Sequence, residues 1–324
     1  MAAERPEVLW CSPDHPLTWD FATVYRVGSP SRGGAVDRCL VAAALSVESV
    51  VMSSASYPNF AGKHAEEAMF GPADFVAYLR RVGALDAREV PAGVVLCYQR
   101  SLYNHVLQVE GLKPPELSGA LHGILLLPST AGQVGLLGQF GIGAPAVAAA
   151  LEELAAMGTS AFVSVGTAGS LQRDLQAGDL VLCESAIRDE GVSHHYLPSA
   201  KLAAATATMS AAMKAALRQA GVPFRTGTSW TIDTPYRETV AEARHYQAEG
   251  VLCVEMEAAA LFAVAEVRGL QVASAFVISD SLADLVWNPQ FHGPQVEAGL
   301  ITLYEAALSA LQASPSVDSE NSPQ

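Results

Sequence analysis

Four short stretches of this 324-residue chain carry reactive residue types at spacings a fold can use. Gly141-Ile142-Gly143-Ala144-Pro145 stands directly ahead of an apolar periodic run. Glycines let backbone approach a ligand closely, and a helix starting there offers unpaired N–H groups to an anion. Val165-Gly166-Thr167-Ala168-Gly169-Ser170 follows an apolar strand-like run. Small hydroxyl-bearing residues at the carboxyl ends of strands are where open α/β sheets bind ligands, although a tight turn explains them as well. In Val254-Glu255-Met256-Glu257-Ala258-Ala259-Ala260, two carboxylates stand two residues apart between an apolar strand and a helix. Acidic side chains suit a helix N-terminus. A carboxylate in so apolar a context needs partners, and a pair of sugar hydroxyls would serve. Val277-Ile278-Ser279-Asp280-Ser281 ends a further strand on an acid, placed either to transfer a proton or to cap a helix.

The elements that position these stretches alternate along the chain. Strands are predicted at 93–98, 123–127, 161–165, 179–183, 250–254 and 272–279, all short apolar runs bounded by turn residues. Helices are predicted over 144–157, stopped by Gly158, over 203–220, stopped by Gly221, over 257–268, stopped by Gly269, and over 295–312. Repeated β–α alternation with fully apolar strands implies an α/β fold: three αβα layers around a mixed, largely parallel central sheet. No internal repeat is visible.

The termini read differently. Residues 1–51 hold isolated turn signals without sustained periodicity, and Met52 is followed by a run of small residues, so 1–51 is expected to be an atypical extension to a catalytic domain over 52–313. The polar, Pro/Ser-rich stretch 314–324 is expected to be disordered. Nineteen basic residues against 33 acidic ones leave a net charge of −14. That balance argues against nucleic acid and anionic membrane as partners, and obliges any bound anion to find a local cluster of donors. No window supplies the roughly 20 uninterrupted apolar residues of a membrane span. The five cysteines are odd in number, with no CxxC pair, and three sit in apolar runs, which suits buried thiols in a reducing cytoplasm rather than disulfides or zinc.

Taken together, the four stretches resemble the nucleoside phosphorylase/hydrolase family, the superfamily of purine nucleoside phosphorylase and uridine phosphorylase. The resemblance runs from about Val94 to the final helix, and VEMEAAALF is its most specific part. Asp189 to Tyr196 and Asp233 to Thr239 also resemble members of the uridine phosphorylase type. The resemblance implies a pentosyltransferase that cleaves a nucleoside with inorganic phosphate as co-substrate and no other cofactor or metal. Glu257, with Glu255 and Met256, would hold the ribose. Thr167 and Gly143 would touch phosphate. Tyr236 and Arg237 would line the base pocket, and Asp280 would protonate the departing base. An acid at 280 suits a purine, whereas Arg237 suits a uracil carbonyl; the balance tips to purine. The family also implies a homo-oligomer; His64, His105 and His122 are candidates to reach a neighbouring subunit, with a surface histidine the more common reading of each.

Two departures bear on the chemistry. Phosphorolytic members end the first strand in a Gly-Asp-Pro loop followed by an arginine, and carry a further arginine just before the Gly-Thr-Ala-Gly type of turn. Here the first strand runs Leu96-Cys97-Tyr98-Gln99-Arg100-Ser101, and the second position is Ser164. Losing a guanidinium fork removes strong charge-assisted contacts to a dianion. Arg100 is the residue expected to restore one. Hydrolytic relatives place a glutamate in the first loop, and none stands between Leu96 and His105. A uridine phosphorylase, a nucleosidase and a non-catalytic nucleoside-binding protein therefore stand beside the purine-cleaving phosphorylase as alternatives.

Overall fold

The computed structural model describes residues 57–60, 62–85, 90–116 and 120–313. The chain divides into two units, Met1–Met52 and Ser53–Gln324, and the described residues all belong to the second. The expectations for 1–51 and 314–324 lie outside the described residues.

Helix α1 (Pro72–Arg81) precedes strand β1 (Gly93–Cys97) and helix α2 (Arg100–Glu110). A helical turn α3 (Ala120–Gly123) and the short strand β2 (Leu125–Leu126) lead to β3 (Val134–Gly138) and α4 (Ala144–Met157). Next come β4 (Ala161–Ser170), β5 (Leu180–Asp189), α5 (Ser193–Tyr196), β6 (Leu202–Ala204) and α6 (Ala207–Gln219). The chain continues through β7 (Arg225–Ile232), α7 (Val240–Ala248), β8 (Cys253–Glu255), α8 (Ala258–Arg268), β9 (Gln271–Ser281), β10 (Asn288–Pro289) and α9 (Pro294–Ala313).

Local chemistry explains several boundaries. Pro145 opens α4, where its missing N–H costs nothing, and Gly158 closes it at φ 119°. Thr239 caps α7 by accepting from the Glu242 N–H while the Glu242 carboxylate accepts from the Thr239 N–H, a reciprocal capping box. The stretch 203–206, expected as helix, instead adds β6 to the edge of β5 before α6 begins.

Every residue of β1 is buried, and successive side chains enter different cores. Val94 and Leu96 pack with Leu151 of α4 and Phe262 of α8. Val95 and Cys97 pack with Leu102 of α2 and Leu303 of α9. Cys97, Cys183 and Cys253 are buried free thiols.

The sheet is mixed. Its longest ladders, β4–β9 and β5–β7, are parallel, whereas β5–β9, β4–β8, β5–β6, β2–β3 and β9–β10 are short antiparallel pairings. The pairings also close a loop: β4 with β8, β8 with β7, β7 with β5, β5 with β9, and β9 back to β4. An open sheet is thus replaced, over these five strands, by a ring. Among the described residues no helix is long and apolar enough to cross a membrane.

Candidate active site

Parallel strands β1, β4 and β9 lie side by side, so their carboxyl ends arrive together. A cavity of about 650 Å3 opens there. Tyr98 and Gln99 line it just past β1; Thr167, Ala168 and Gly169 from β4; and Ser279 and Asp280 from β9. Val254, Glu255, Met256 and Glu257 enter from β8 and the start of α8. Tyr236, Glu238, Trp287 and Phe291 also line it.

The Gly166–Gly169 stretch is not the turn that its composition predicts. Strand β4 runs through it to Ser170, and a bulge at Ser279 changes the register so that Ala168 faces Ile278 and Gly169 faces Asp280. A bulge of this kind re-aims a side chain. Gly169 accommodates the result: a Cβ there would meet Leu282 Cδ1 at 2.6 Å and Asp280 Oδ2 at 3.0 Å. The Asp280 carboxylate is held on both oxygens, accepting from Ser279 Oγ at 2.8 Å and from Trp287 Nε1 at 3.0 Å. Burial raises its pKa above the ordinary value against the pull of those two donors, so the proton-carrying form gains ground.

The two glutamates beside Met256 have different surroundings. Glu255 accepts from Ser229 Oγ at 3.0 Å and from Thr231 Oγ1 on one oxygen, and from the N–H groups of Glu257 and Ala258 at 2.8 Å on the other. Its carboxylate ties β7 to β8 and satisfies the first N–H groups of α8. The expected ribose contact of Glu255 is corrected here: its oxygens are already occupied. Glu257 accepts from the Gly143 N–H, which leaves lone pairs on its carboxylate for a ligand. Burial, with the Glu255 charge adding to it, pushes Glu257 from the ordinary 4.5 to about 8.

Gly143 therefore positions Glu257 rather than an anion, and it is not part of the cavity wall. Arg100 is likewise outside: helix α2 starts at Arg100, so Tyr98 and Gln99 face the cavity while the Arg100 side chain is exposed. Arg237 is exposed on the short turn Pro235–Arg237 and is absent from the lining, whereas its neighbour Tyr236 lines the cavity at 99% exposure. Met256, Glu257, Thr167 and Asp280 stand together as expected.

Several lining residues escape the sequence reading, Trp287, Phe291, Leu282 and Glu238 among them. Trp287 and Phe291 come from the irregular stretch after β9, with ring centroids 6.2 Å apart. Glu238 follows Arg237, and burial together with the Asp280 charge raises it from 4.5 to about 7. Its place between an arginine and a capping threonine gave no periodic signal.

The sequence profile of the Phosphorylase superfamily matches residues 109–309. A uridine phosphorylase of Thermococcus kodakarensis is 30% identical over 177 residues, covering 50% of this chain and 62% of that protein. A guanosine phosphorylase of Halorubrum lacusprofundi is 30% identical over 142 residues, 44% of this chain and 59% of its own. The chain thus spans about three fifths of the length of these curated relatives. Among solved structures, the purine nucleoside phosphorylase of Toxoplasma gondii in complex with immucillin-H superposes with a TM-score of 0.61 at 20% identity, over 68% of this chain and 90% of that one.

Proposed function

Because the chain belongs to the phosphorylase superfamily, we propose that its cavity binds a nucleoside and cleaves the N-glycosidic bond, with purine nucleosides preferred. The observation that carries this reading is the grouping of Glu257, Met256 and Asp280 around one cavity. Glu257 accepts from ribose hydroxyls and supports the positive charge that the sugar gains as the bond breaks. Met256 packs on the sugar. Asp280, its pKa raised, delivers a proton to the departing base. A purine offers the imidazole nitrogen that such a proton needs, and Trp287, Phe291 and Tyr236 supply aromatic faces for the base. Phosphate is the co-substrate that the resemblance implies.

The reading includes a three-layer αβα arrangement, supported by the two cores on alternate faces of β1. It also includes a homo-oligomer in the cytoplasm. Ile142, Tyr236 and Trp287 are exposed apolar groups around the cavity mouth, and a neighbouring subunit would cover them. Light scattering reads the oligomeric state, and a fully active monomer overturns that part. The main test is release of free base from inosine, guanosine, adenosine and uridine, each with and without phosphate. Cleavage of the purine nucleosides is expected. Preference for uridine overturns the purine assignment, and no release from any of them overturns cleavage.

A further inference from the structure

We propose that residues 57–60 and 62–65 form a pH-sensitive strap, latched to the α5 turn by the neutral ring of His195 and released when that ring takes up a second proton. Lys63 Nζ lies 2.9 Å from His195 Nδ1, and the Tyr57 hydroxyl lies 2.9 Å from His195 Nε2. An ammonium only donates, so Nδ1 accepts, and the ring proton sits on Nε2, where it donates to the Tyr57 oxygen. An imidazolium has no lone pair left to accept with. Protonation therefore abolishes the Lys63 bond and puts two like charges in its place. Tyr57 also packs edge-on against the His195 and His194 rings, with centroids 5.3 and 5.8 Å away.

The groups around the ring set the direction of the response. Lys63 faces it from the strap, His194 from α5, and Glu190 from just ahead of α5. The Glu190 carboxylate accepts from the Val192 and Ser193 N–H groups. Arg188 of β5 donates to Ser193, Leu197 and Pro198, while the His194 Nε2–H donates to the Arg188 carbonyl. Glu266 of α8 acts on Arg188. Arg268 of α8 pairs with Glu152 of α4, which also accepts from the Tyr196 hydroxyl. Burial first, and then the Lys63 charge, hold His195 below its ordinary 6.5, with Glu190 opposing and His194 adding. A base whose folded value is depressed contributes its stability in full above the ordinary value and loses it as pH falls through the folded one. The latch is closed at neutral pH and loosens as pH drops below 6.5.

The strap bears on the cavity through one glycine. A Cβ on Gly191 would meet the Tyr57 hydroxyl at 2.9 Å and Asp233 Oδ2 at 3.5 Å. The Gly191 N–H donates to that same Asp233 oxygen at 2.8 Å. Asp233 follows β7 directly and leads into the turn Pro235–Arg237, whose Tyr236 lines the cavity together with Glu238. The Tyr57 hydroxyl rests on the joint from which this wall hangs, so release of the strap loosens the wall.

The test is hydrogen exchange of the whole chain, read by mass spectrometry between about pH 8 and about pH 5 and corrected for the intrinsic pH dependence of exchange. The reporters are the Ala65 and Glu66 N–H groups, which donate to Gly62 and Lys63 within the strap, and the Arg237 N–H, which donates to Thr234 in the wall. Exchange at all three is expected to quicken about fivefold as pH falls, as losing one ordinary hydrogen bond allows. Glu238 titrates at about 7 on the same wall, so the comparison is with His195→Gln, which cannot titrate and leaves Glu238 in place. A flat profile at Ala65 and Glu66 is expected there, whatever its level. Gly191→Ala adds no charge, the Gly191 backbone lies outside the left-handed region, and the new methyl displaces the Tyr57 hydroxyl. This variant is expected to show the fast exchange already at the upper end of the range. Strap exchange that ignores pH in the parent, or that changes equally in His195→Gln, overturns the latch. Arg237 exchange that follows neither pH in the parent nor the Gly191→Ala change overturns the link to the cavity wall. No nucleoside is present, so these outcomes stand apart from the function proposed above.

Discussion

The indole N–H of Trp287 donates to Asp280 Oδ2 at 3.0 Å, although the Trp287 side chain is 60% exposed at the rim of the cavity. A donor to the charged form favours ionisation, so Trp287 holds the Asp280 pKa below where burial alone would put it. In Trp287→Phe the Asp280 pKa is expected to rise further. If Asp280 is the proton donor, the alkaline limb of the pH–rate profile moves upward in this variant and flattens in Asp280→Asn. An unshifted limb in Trp287→Phe separates Asp280 from the proton transfer.

Glu257→Gln keeps the shape of the side chain and removes its ability to ionise as the sugar gains positive charge. Turnover is expected to fall about a hundredfold, or ~3 kcal/mol of transition-state stabilisation, while the protein stays folded by circular dichroism. A variant as active as the parent places the ribose site elsewhere.

Glu255 behaves differently because its partners are all within the fold. Glu255→Ala leaves two hydroxyls and two N–H groups without their acceptor in a buried place. The expected loss is on the order of 3 kcal/mol of stability, read as a lower denaturation midpoint. A normal midpoint with lost activity would make Glu255 a ligand contact after all.

Stability of the unliganded protein is expected to fall as pH rises through neutrality. Glu257 and Glu238 titrate near about 8 and about 7 in the fold against an ordinary 4.5. Each binds its proton more tightly when folded. Each therefore contributes stability that is fully present below about 4.5 and is lost as pH rises through its folded value. The melting temperature of Glu257→Gln, neutral at every pH, should fall less steeply over that interval. Identical slopes for the two proteins would mean that Glu257 is not held protonated.

The parts of the site that were legible in the sequence are those at strand ends. Thr167, Met256, Glu257 and Asp280 each interrupt or terminate an apolar run, and an apolar run fixes where a strand must stop. Helix α4 was legible for the same reason, as glycine and proline bound it. Arg100 was placed wrongly because one residue of helix start separates an inward side chain from an exposed one. Glu238, Trp287 and Phe291 stand on irregular segments, where tertiary contacts alone decide direction. Strand β7, with its threonines, serine and leading arginine, lacks an apolar run, and missing it hid the closure of the ring.

That closure has a kinetic consequence. A strand at the edge of an open sheet can peel away by breaking one ladder, but each of β4, β5, β7, β8 and β9 is clasped on both sides. Local opening of any one must rupture two ladders at once, so their amide protons belong among the last to exchange with solvent. Thr167, Glu255 and Asp280 ride on this slow girdle. Tyr236 and Trp287 hang from segments outside it, free to breathe on faster timescales while the floor beneath the ligand holds its spacing.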